Sequence, residues 1–268
     1  MSYLCTLILA MELQFHKYQG TGNDFIIVDN RLDIFPKNNT NLIEQLCDRR
    51  FGIGADGLLL LENDKSADFK MVYFNADGKI GSMCGNGGRC LVAFAKDLGI
   101  VQKEASFEAS DGNHRASVSG KQVALKMSDV GRISKKRNAY FLDTGSPHHV
   151  QLSKDLNSMD VVKEGRRIRY GIYGEKGSNV NFVEQLAPDS FWVRTYERGV
   201  EDETYSCGTG VTAVALAMHF SSKTEADRIH IKTKGGDLWV TFKAAKKGYE
   251  DVVLEGPATF VFKGTIRW

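Results

Sequence analysis

The sequence predicts an α+β chain of two pseudo-symmetric domains from a tandem duplication, each a mixed β-sheet or barrel wrapped around one central helix. Three observations lead there. The stretch MCGNGGRC (83–90) has a second copy in SCGTGVTA (206–213), so a thiol stands before a glycine-rich turn and a helix start twice in one chain. The separation of the two cysteines, 207 − 84 = 123, recurs through the turn residues: Thr21 and Gly22 map to Thr144 and Gly145, Gly54 to Gly177, Tyr73 to Tyr196, Gly85 and Gly87 to Gly208 and Gly210, and Gly112 to Gly235. Strand-like segments outnumber helical ones, and each copy carries one long helix that begins at its cysteine.

Taken in order, residues 1–10 (MSYLCTLILA) are apolar but lack a basic leader, are too short to span a bilayer and run into Met11 rather than a small-residue cleavage site. They read as an N-terminal extension. The first domain is expected over 11–130. Within it LQFHKYQ and DFIIVD read as strands around the turn GTGN, NLIEQLCDRRF as a helix over 41–51, and GLLLLE and FKMVYFN as strands. Residues 86–98 place Leu91, Val92, Phe94, Ala95 and Leu98 at helical spacing, with Gly99 as the stop. ASFEAS, HRASVS and QVALKM alternate like half-buried strands, with DGN as a hairpin turn. The second domain, over 131–258, repeats the order with NAYFLDTG, VNFVEQ, FWVRTYE, a helix through VTAVALAMHF, and the strands RIHIKTK and DLWVTF joined by two glycines.

Composition narrows the partners. With 268 residues, 42% hydrophobic and 25% charged, the chain can bury one large core or two smaller ones. A net charge of +2 points away from nucleic acid and acidic membranes, and the clusters KKR (135–137) and KK (246–247) read as solvated faces. Small-molecule chemistry is the expectation that remains, and a homodimer is left open. Five cysteines, an odd number without dense spacing, fit reduced thiols in a cytoplasmic protein rather than a disulfide framework.

The chemistry follows from what a helix start does to a thiol. Its first N–H groups have no partner inside the helix and the dipole adds roughly half a positive charge, so an anion is favoured there. A cysteine that ionises near about 8.5 when free can be drawn toward neutrality in such a place. Gly85 and Gly208 lack a Cβ, which lets backbone amides approach a bound carboxylate. Two such thiols facing each other, one ionised and one protonated, can invert a stereocentre: one takes the proton from one face and the other delivers a proton to the opposite face. Helix ends aimed at the substrate carboxylate would stabilise the carbanion, and no cofactor is then required. Other motifs have plainer readings. GIGADG (52–57) satisfies G-x-G-x-x-G but precedes an apolar strand, so it reads as a turn. Cys90 falls inside the helix pattern as a core residue, and Cys84 and Cys90 with His148 or His149 have poor spacing for zinc, so no metal is expected.

The runs GTGNDF (20–25), GIGADG (52–57), FNADG (74–78), CGNGGRC (84–90), GSPHH (145–149), NVNF (179–182), YERGV (196–200), CGTG (207–210) and GPA (256–258) together resemble the diaminopimelate epimerases, over nearly the whole chain from Met11 onward. The resemblance implies a pyridoxal-independent isomerase that interconverts LL- and meso-diaminopimelate on the lysine and cell-wall route, with two domains closing over substrate. It implies that the terminal strand FVFKGTIRW returns to the first domain, over 259–268. Proline racemases share the fold, so fold alone does not choose the substrate.

Carried over position by position, the resemblance makes Cys84 and Cys207 the acid and base pair, and Gly85, Asn86, Gly208 and Thr209 the positions whose amides hold the reacting carboxylate. Asn23, Asn75, Asn179, Glu197 and Arg198 match the positions that read the far end of the substrate. Arg198 offers a bidentate fork to a distal carboxylate and Glu197 can accept from an ammonium group. His148 matches a histidine near the thiols. Ser146 and Gly57 depart from the family pattern, where Asn and Gln also occur. Two alternatives remain at this level: a racemase of the same fold acting on proline or hydroxyproline, and a non-catalytic thiol redox switch.

Overall fold

The computed structural model describes residues 12–267; the N-terminal extension and Cys5 lie outside them. The first half runs β1 (Glu12–Gly20), β2 (Asn23–Asp29), α1 (Thr40–Cys47), β3 (Gly57–Glu62), β4 (Phe69–Asn75), α2 (Gly85–Asp97), β5 (Glu104–Ala109), β6 (Gly112–Ser119) and β7 (Gln122–Lys126). The second half runs β8 (Ser134–Lys135), β9 (Tyr140–Asp143), β10 (Pro147–Leu152), α3 (Val161–Tyr173), β11 (Asn179–Ala187), β12 (Ser190–Glu197), β13 (Asp202–Thr204), α4 (Gly208–Phe220), β14 (Arg228–Thr233), β15 (Gly236–Ala245), β16 (Gly248–Pro257) and β17 (Thr259–Arg267). The helices α2 and α4 are each 13 residues long and start 123 residues apart, the separation of the two cysteines.

Strand pairing repeats with the sequence. β2 runs parallel to β3 around α1, and β10 runs parallel to β11 around α3. β4 is parallel to β5 across α2, and β12 is parallel to β14 across α4. The remaining pairs are antiparallel, most of them hairpins, so each half is a mixed sheet curled around its long helix. Two contacts join the ends of the repeats. β7 pairs antiparallel with β16, with Leu125 opposite Leu254, and β17 pairs antiparallel with β1. A sheet that encloses a helix leaves that helix no solvent face. In α4 every residue from 210 to 218 is buried, and α2 is buried from its first residue through Ala95. α4 is apolar nearly all round, as a core helix is, and each large apolar side chain in either helix contributes roughly 1.5–3 kcal/mol of burial; α2 also buries the polar Asn86 and Arg89.

Two helices differ from the sequence expectation. α1 stops at Cys47 rather than continuing to residue 51, because Asp48 turns back to accept the N–H groups of Arg50 (2.7 Å) and Phe51 (2.6 Å). α3 was not expected at all. Its many charges and two glycines hide the pattern, yet Asp160 caps it by accepting from Lys163 N at 3.0 Å. Gly165 is required there, since a Cβ would lie 2.3 Å from Tyr196 Cβ. The short strands β8 and β13, and β10 and β16 as strands, also went unread. Among the described residues no helix is long and apolar enough to cross a membrane.

Candidate active site

The two repeats bring their cysteines to one place. Cys84 is the N-cap of α2 (φ −114, ψ 119) and Cys207 the N-cap of α4 (φ −124, ψ 111), so the two thiols leave their helices in matching extended conformations. The helix starts abut. A Cβ built on Gly208 would lie 3.6 Å from Gly85 Cα, a closeness that larger residues would prevent. Gly210 is equally constrained: a Cβ there would lie 2.6 Å from Asn181 Oδ1. All four described cysteines, Cys47, Cys84, Cys90 and Cys207, are free thiols.

Asn86 crosses between the halves. Its Nδ2 donates to Ser206 O and to Asn23 Oδ1, both at 3.1 Å, while its Oδ1 is buried without a partner. Ser206 Oγ is likewise buried and unpartnered. Asn23 Oδ1 also accepts from Cys84 Sγ at 3.7 Å, and its Nδ2 donates to Asp56 Oδ2 at 2.7 Å, which fixes the orientation of the amide. Asp56 is itself braced: Arg49 bridges it to Asp24, and Asp24 pairs with the buried Lys17. Those cations hold the Asp24 carboxyl down at about 2 against its burial.

The second half builds its side differently. Cys207 Sγ lies 3.4 Å from Thr209 Oγ1, and Thr144 Oγ1 donates to Thr209 O at 2.8 Å. Asn181 donates to His149 O (3.0 Å) and to His148 Nδ1 (3.2 Å) while accepting from Thr195 Oγ1 (2.9 Å), so its amide orientation is settled. Amide nitrogens face both ring nitrogens of His148, Asn181 Nδ2 at Nδ1 (3.2 Å) and Asn179 Nδ2 at Nε2 (3.5 Å), and the former is the closer. Burial pushes this imidazole down to about 3, aided by Arg198, so it is neutral. Asn179 Oδ1 accepts the Arg198 N–H at 2.8 Å, whereas the Arg198 guanidinium is exposed, donates to Lys176 O at 2.9 Å and lines a cleft of about 520 Å³ with Tyr173 and Phe141. Glu197 accepts from Thr204 Oγ1 at 2.9 Å, and burial raises its carboxyl.

The separation of 123 pairs these residues: Asn23 with Ser146, Asp56 with Asn179, Asn75 with Arg198, Asn86 with Thr209. The departure at Ser146 is thus the repeat partner of Asn23. At Gly57 no side chain fits, because a Cβ would lie 2.5 Å from Phe74 O and 2.6 Å from the Tyr73 ring.

One electrostatic expectation is corrected. Burial pushes both thiols above the ordinary cysteine range; the Glu197 carboxyl adds to this at each. The amides of Gly87 and Asn86 at Cys84, and Thr209 with the amide of Gly210 at Cys207, act in the other direction. The helix start alone does not bring either thiol toward neutrality, because removing a thiolate from water costs more than a few amides return.

The structure gathers Cys84, Cys207, Gly85, Asn86, Gly208, Thr209 and Asn23 about the two helix starts, and His148 is touched by Asn181 at Nδ1 and by Asn179 at Nε2. Asn75 is exposed at the end of β4, and its side chain makes no hydrogen bond among the described contacts. The sequence reading missed Asp56, Asn181, Thr144 and Ser206. Asp56 and Asn181 lie inside the motifs GIGADG and NVNF, Ser206 opens SCGTGVTA and Thr144 is the repeat partner of Thr21, and that company was the available signal. Among the described residues no three His, Cys, Asp or Glu side chains gather as a metal site.

A sequence model of the family described as diaminopimelate epimerase matches residues 15–135 and again 140–261. A diaminopimelate epimerase from Flavobacterium psychrophilum is 56% identical over 256 residues, covering 95% of this chain and all of that one. One from Chlorobaculum tepidum is 45% identical, covering 92% of this chain and 98% of that one. Among solved structures, a phenazine biosynthesis protein of the PhzF family from Bacillus anthracis superposes with a TM-score of 0.76 at 12% identity, over 96% of this chain and 99% of that one. A hydroxyproline epimerase from Agrobacterium vitis gives 0.70 at 13% identity, over 96% and 92%. At such identities the structural likeness speaks for the fold alone.

Proposed function

The chain belongs to the diaminopimelate epimerase family, and from that premise we propose that it interconverts LL- and meso-diaminopimelate with Cys84 and Cys207 as opposed base and acid. One sulfur, as thiolate, takes the α-hydrogen as a proton; the electron pair passes into the substrate carboxylate. The other thiol then delivers its proton to the opposite face. The sulfurs exchange roles, and one negative charge remains on the pair.

The observation that carries this reading is the meeting of two cysteine-capped helix starts at Gly85 and Gly208. Amides at Gly85, Asn86, Gly208 and Thr209 hold the reacting carboxylate, where two helix ends add their positive potential to the developing charge. The unpartnered Asn86 Oδ1 and Ser206 Oγ support a bound polar ligand, as an acceptor for its ammonium and a donor for its carboxylate. Asn23, Asn75, Asn179, Glu197 and Arg198 read the far end, and for this the Arg198 fork turns from Lys176 O to the distal carboxylate. His148, neutral and fixed by Asn181, supports the wall beside the thiols.

The test is α-hydrogen exchange in deuterium oxide with LL-diaminopimelate. We expect solvent deuterium at the inverted carbon and loss of epimerisation in both Cys84→Ala and Cys207→Ala. Full turnover in either variant rejects the two-thiol reading. Equal or better turnover of proline or hydroxyproline rejects the substrate, since neither gives Arg198 a distal carboxylate to grip.

A further inference from the structure

Tyr73 stands on β4 two residues before Asn75, so both side chains leave the strand on one face, and Gly57 of β3 lies opposite Asn75 in the antiparallel register. Gly57 contributes no side chain to that face. The Tyr73 ring takes the room instead: a Cβ built on Gly57 would lie 2.6 Å from its Cε2 and 3.3 Å from its Oη. The other edge of the ring meets Gly81, whose N donates to Tyr73 O at 2.8 Å. A Cβ on Gly81 would lie 2.5 Å from Tyr73 Cε1 and 3.2 Å from Asn75 Oδ1. Phe25 of β2 packs edge-to-face on the ring, with centroids 6.0 Å apart.

Both glycine walls of this slot belong to segments of the candidate site. Gly57 follows Asp56, the carboxylate that accepts from Asn23 Nδ2 at 2.7 Å, and Asn23 Oδ1 in turn meets Cys84 Sγ. Gly81 stands three residues before Cys84. The repeat then supplies a contrast. Tyr73 corresponds to Tyr196, which is fully buried and donates its hydroxyl to Glu201 Oε2 at 2.9 Å. The phenol of the second half is satisfied inside the fold. That of the first half is half-buried and makes no hydrogen bond among the described residues. Burial pushes it up, so it stays protonated, with one donor and its acceptor sites unused. Enclosing a hydroxyl without a partner is unfavourable unless a ligand meets it.

Resting on the substrate reading above, we propose that Tyr73 is a further substrate-binding residue, whose hydroxyl hydrogen-bonds the far end of diaminopimelate over the space that Gly57 leaves, beside Asn75. The contact lies away from the reacting carbon. It is made equally in the ground and transition states, and so it acts on KM rather than kcat.

The experiment compares Tyr73→Phe, which keeps the ring and removes only the hydroxyl, with the unsubstituted chain. KM for LL- and for meso-diaminopimelate rises roughly 3- to 30-fold, with kcat held within about twofold. The denaturation midpoint stays in place or rises, because no partner in the fold is lost. An unchanged KM overturns the proposal, and so does a lower midpoint, which would show the hydroxyl satisfied within the protein. Competitive inhibition locates the contact: lysine lacks the far carboxylate and 2-aminopimelate the far ammonium, so Tyr73→Phe weakens one of them and spares the other. Equal weakening of both puts the contact elsewhere on the ligand and overturns the proposal. Turnover of diaminopimelate by the unsubstituted chain reports separately on the substrate reading, so the two failures are distinguishable.

Discussion

Gly85 and Gly208 face each other where α2 and α4 begin, with a Cβ built on Gly85 lying 3.9 Å from Gly208 Cα. Two helix ends of the same sign are thereby pressed together, each worth about half a positive charge. Such an arrangement is unfavourable when empty and is relieved by an anion held between the two ends. The repeat thus brings together two helix starts that neither half has alone.

The two glycines are not equivalent in the space around them. A Cβ on Gly208 would meet Leu254 Cδ2 at 3.0 Å, whereas on Gly85 the same atom is 3.5 Å away. Gly208→Ala therefore displaces the α4 start and is expected to lower kcat/KM roughly 10- to 100-fold. Gly85→Ala is expected to lower it less, and the reverse order in steady-state kinetics would contradict the contact geometry.

Asn86→Ala removes the hydrogen bonds to Ser206 O and Asn23 Oδ1. Both acceptors are then left short of a donor beside the thiols. Chemical denaturation should show a loss of about 1–3 kcal/mol, together with a fall in kcat.

Asp56→Ala separates positioning from stability. Its ion pair with Arg49 is exposed, so the denaturation midpoint should change by less than about 1 kcal/mol equivalent. Asn23, no longer held at 2.7 Å through its Nδ2, is free to rotate its amide away from Cys84 and Asn86. KM for diaminopimelate should rise, and an unchanged KM would show that Asn23 is held by other contacts.

His148 makes stability depend on pH. Its folded value, near 3, lies below the ordinary 6.5, so the unfolded chain binds a proton that the folded one refuses. The contribution is fully present above 6.5 and is lost as pH falls toward 3, at up to about 1.4 kcal/mol per pH unit. His148→Gln should flatten the fall of the denaturant midpoint with acid across that window.

How much of this was legible in the sequence depends on the range of the interaction. The duplication, the two long helices and their cysteine starts are local patterns, and the repeat of 123 residues carries them into both halves. The sequence reads Gly85 and Gly208 as room for amides beside a bound carboxylate, and says nothing of one helix start lying against the other. Tertiary structure decided that the glycines at 85 and 208 admit each other, that Asp56 orients Asn23 and Asn181 orients His148, and that β17 lies on β1. It also reversed one expectation: a helix start favours a thiolate, but burial outweighs it at Cys84 and Cys207. Periodicity and turn chemistry act between residues close along the chain and so appear in the sequence. Desolvation depends on what the folded chain packs around a group, and no local pattern encodes that.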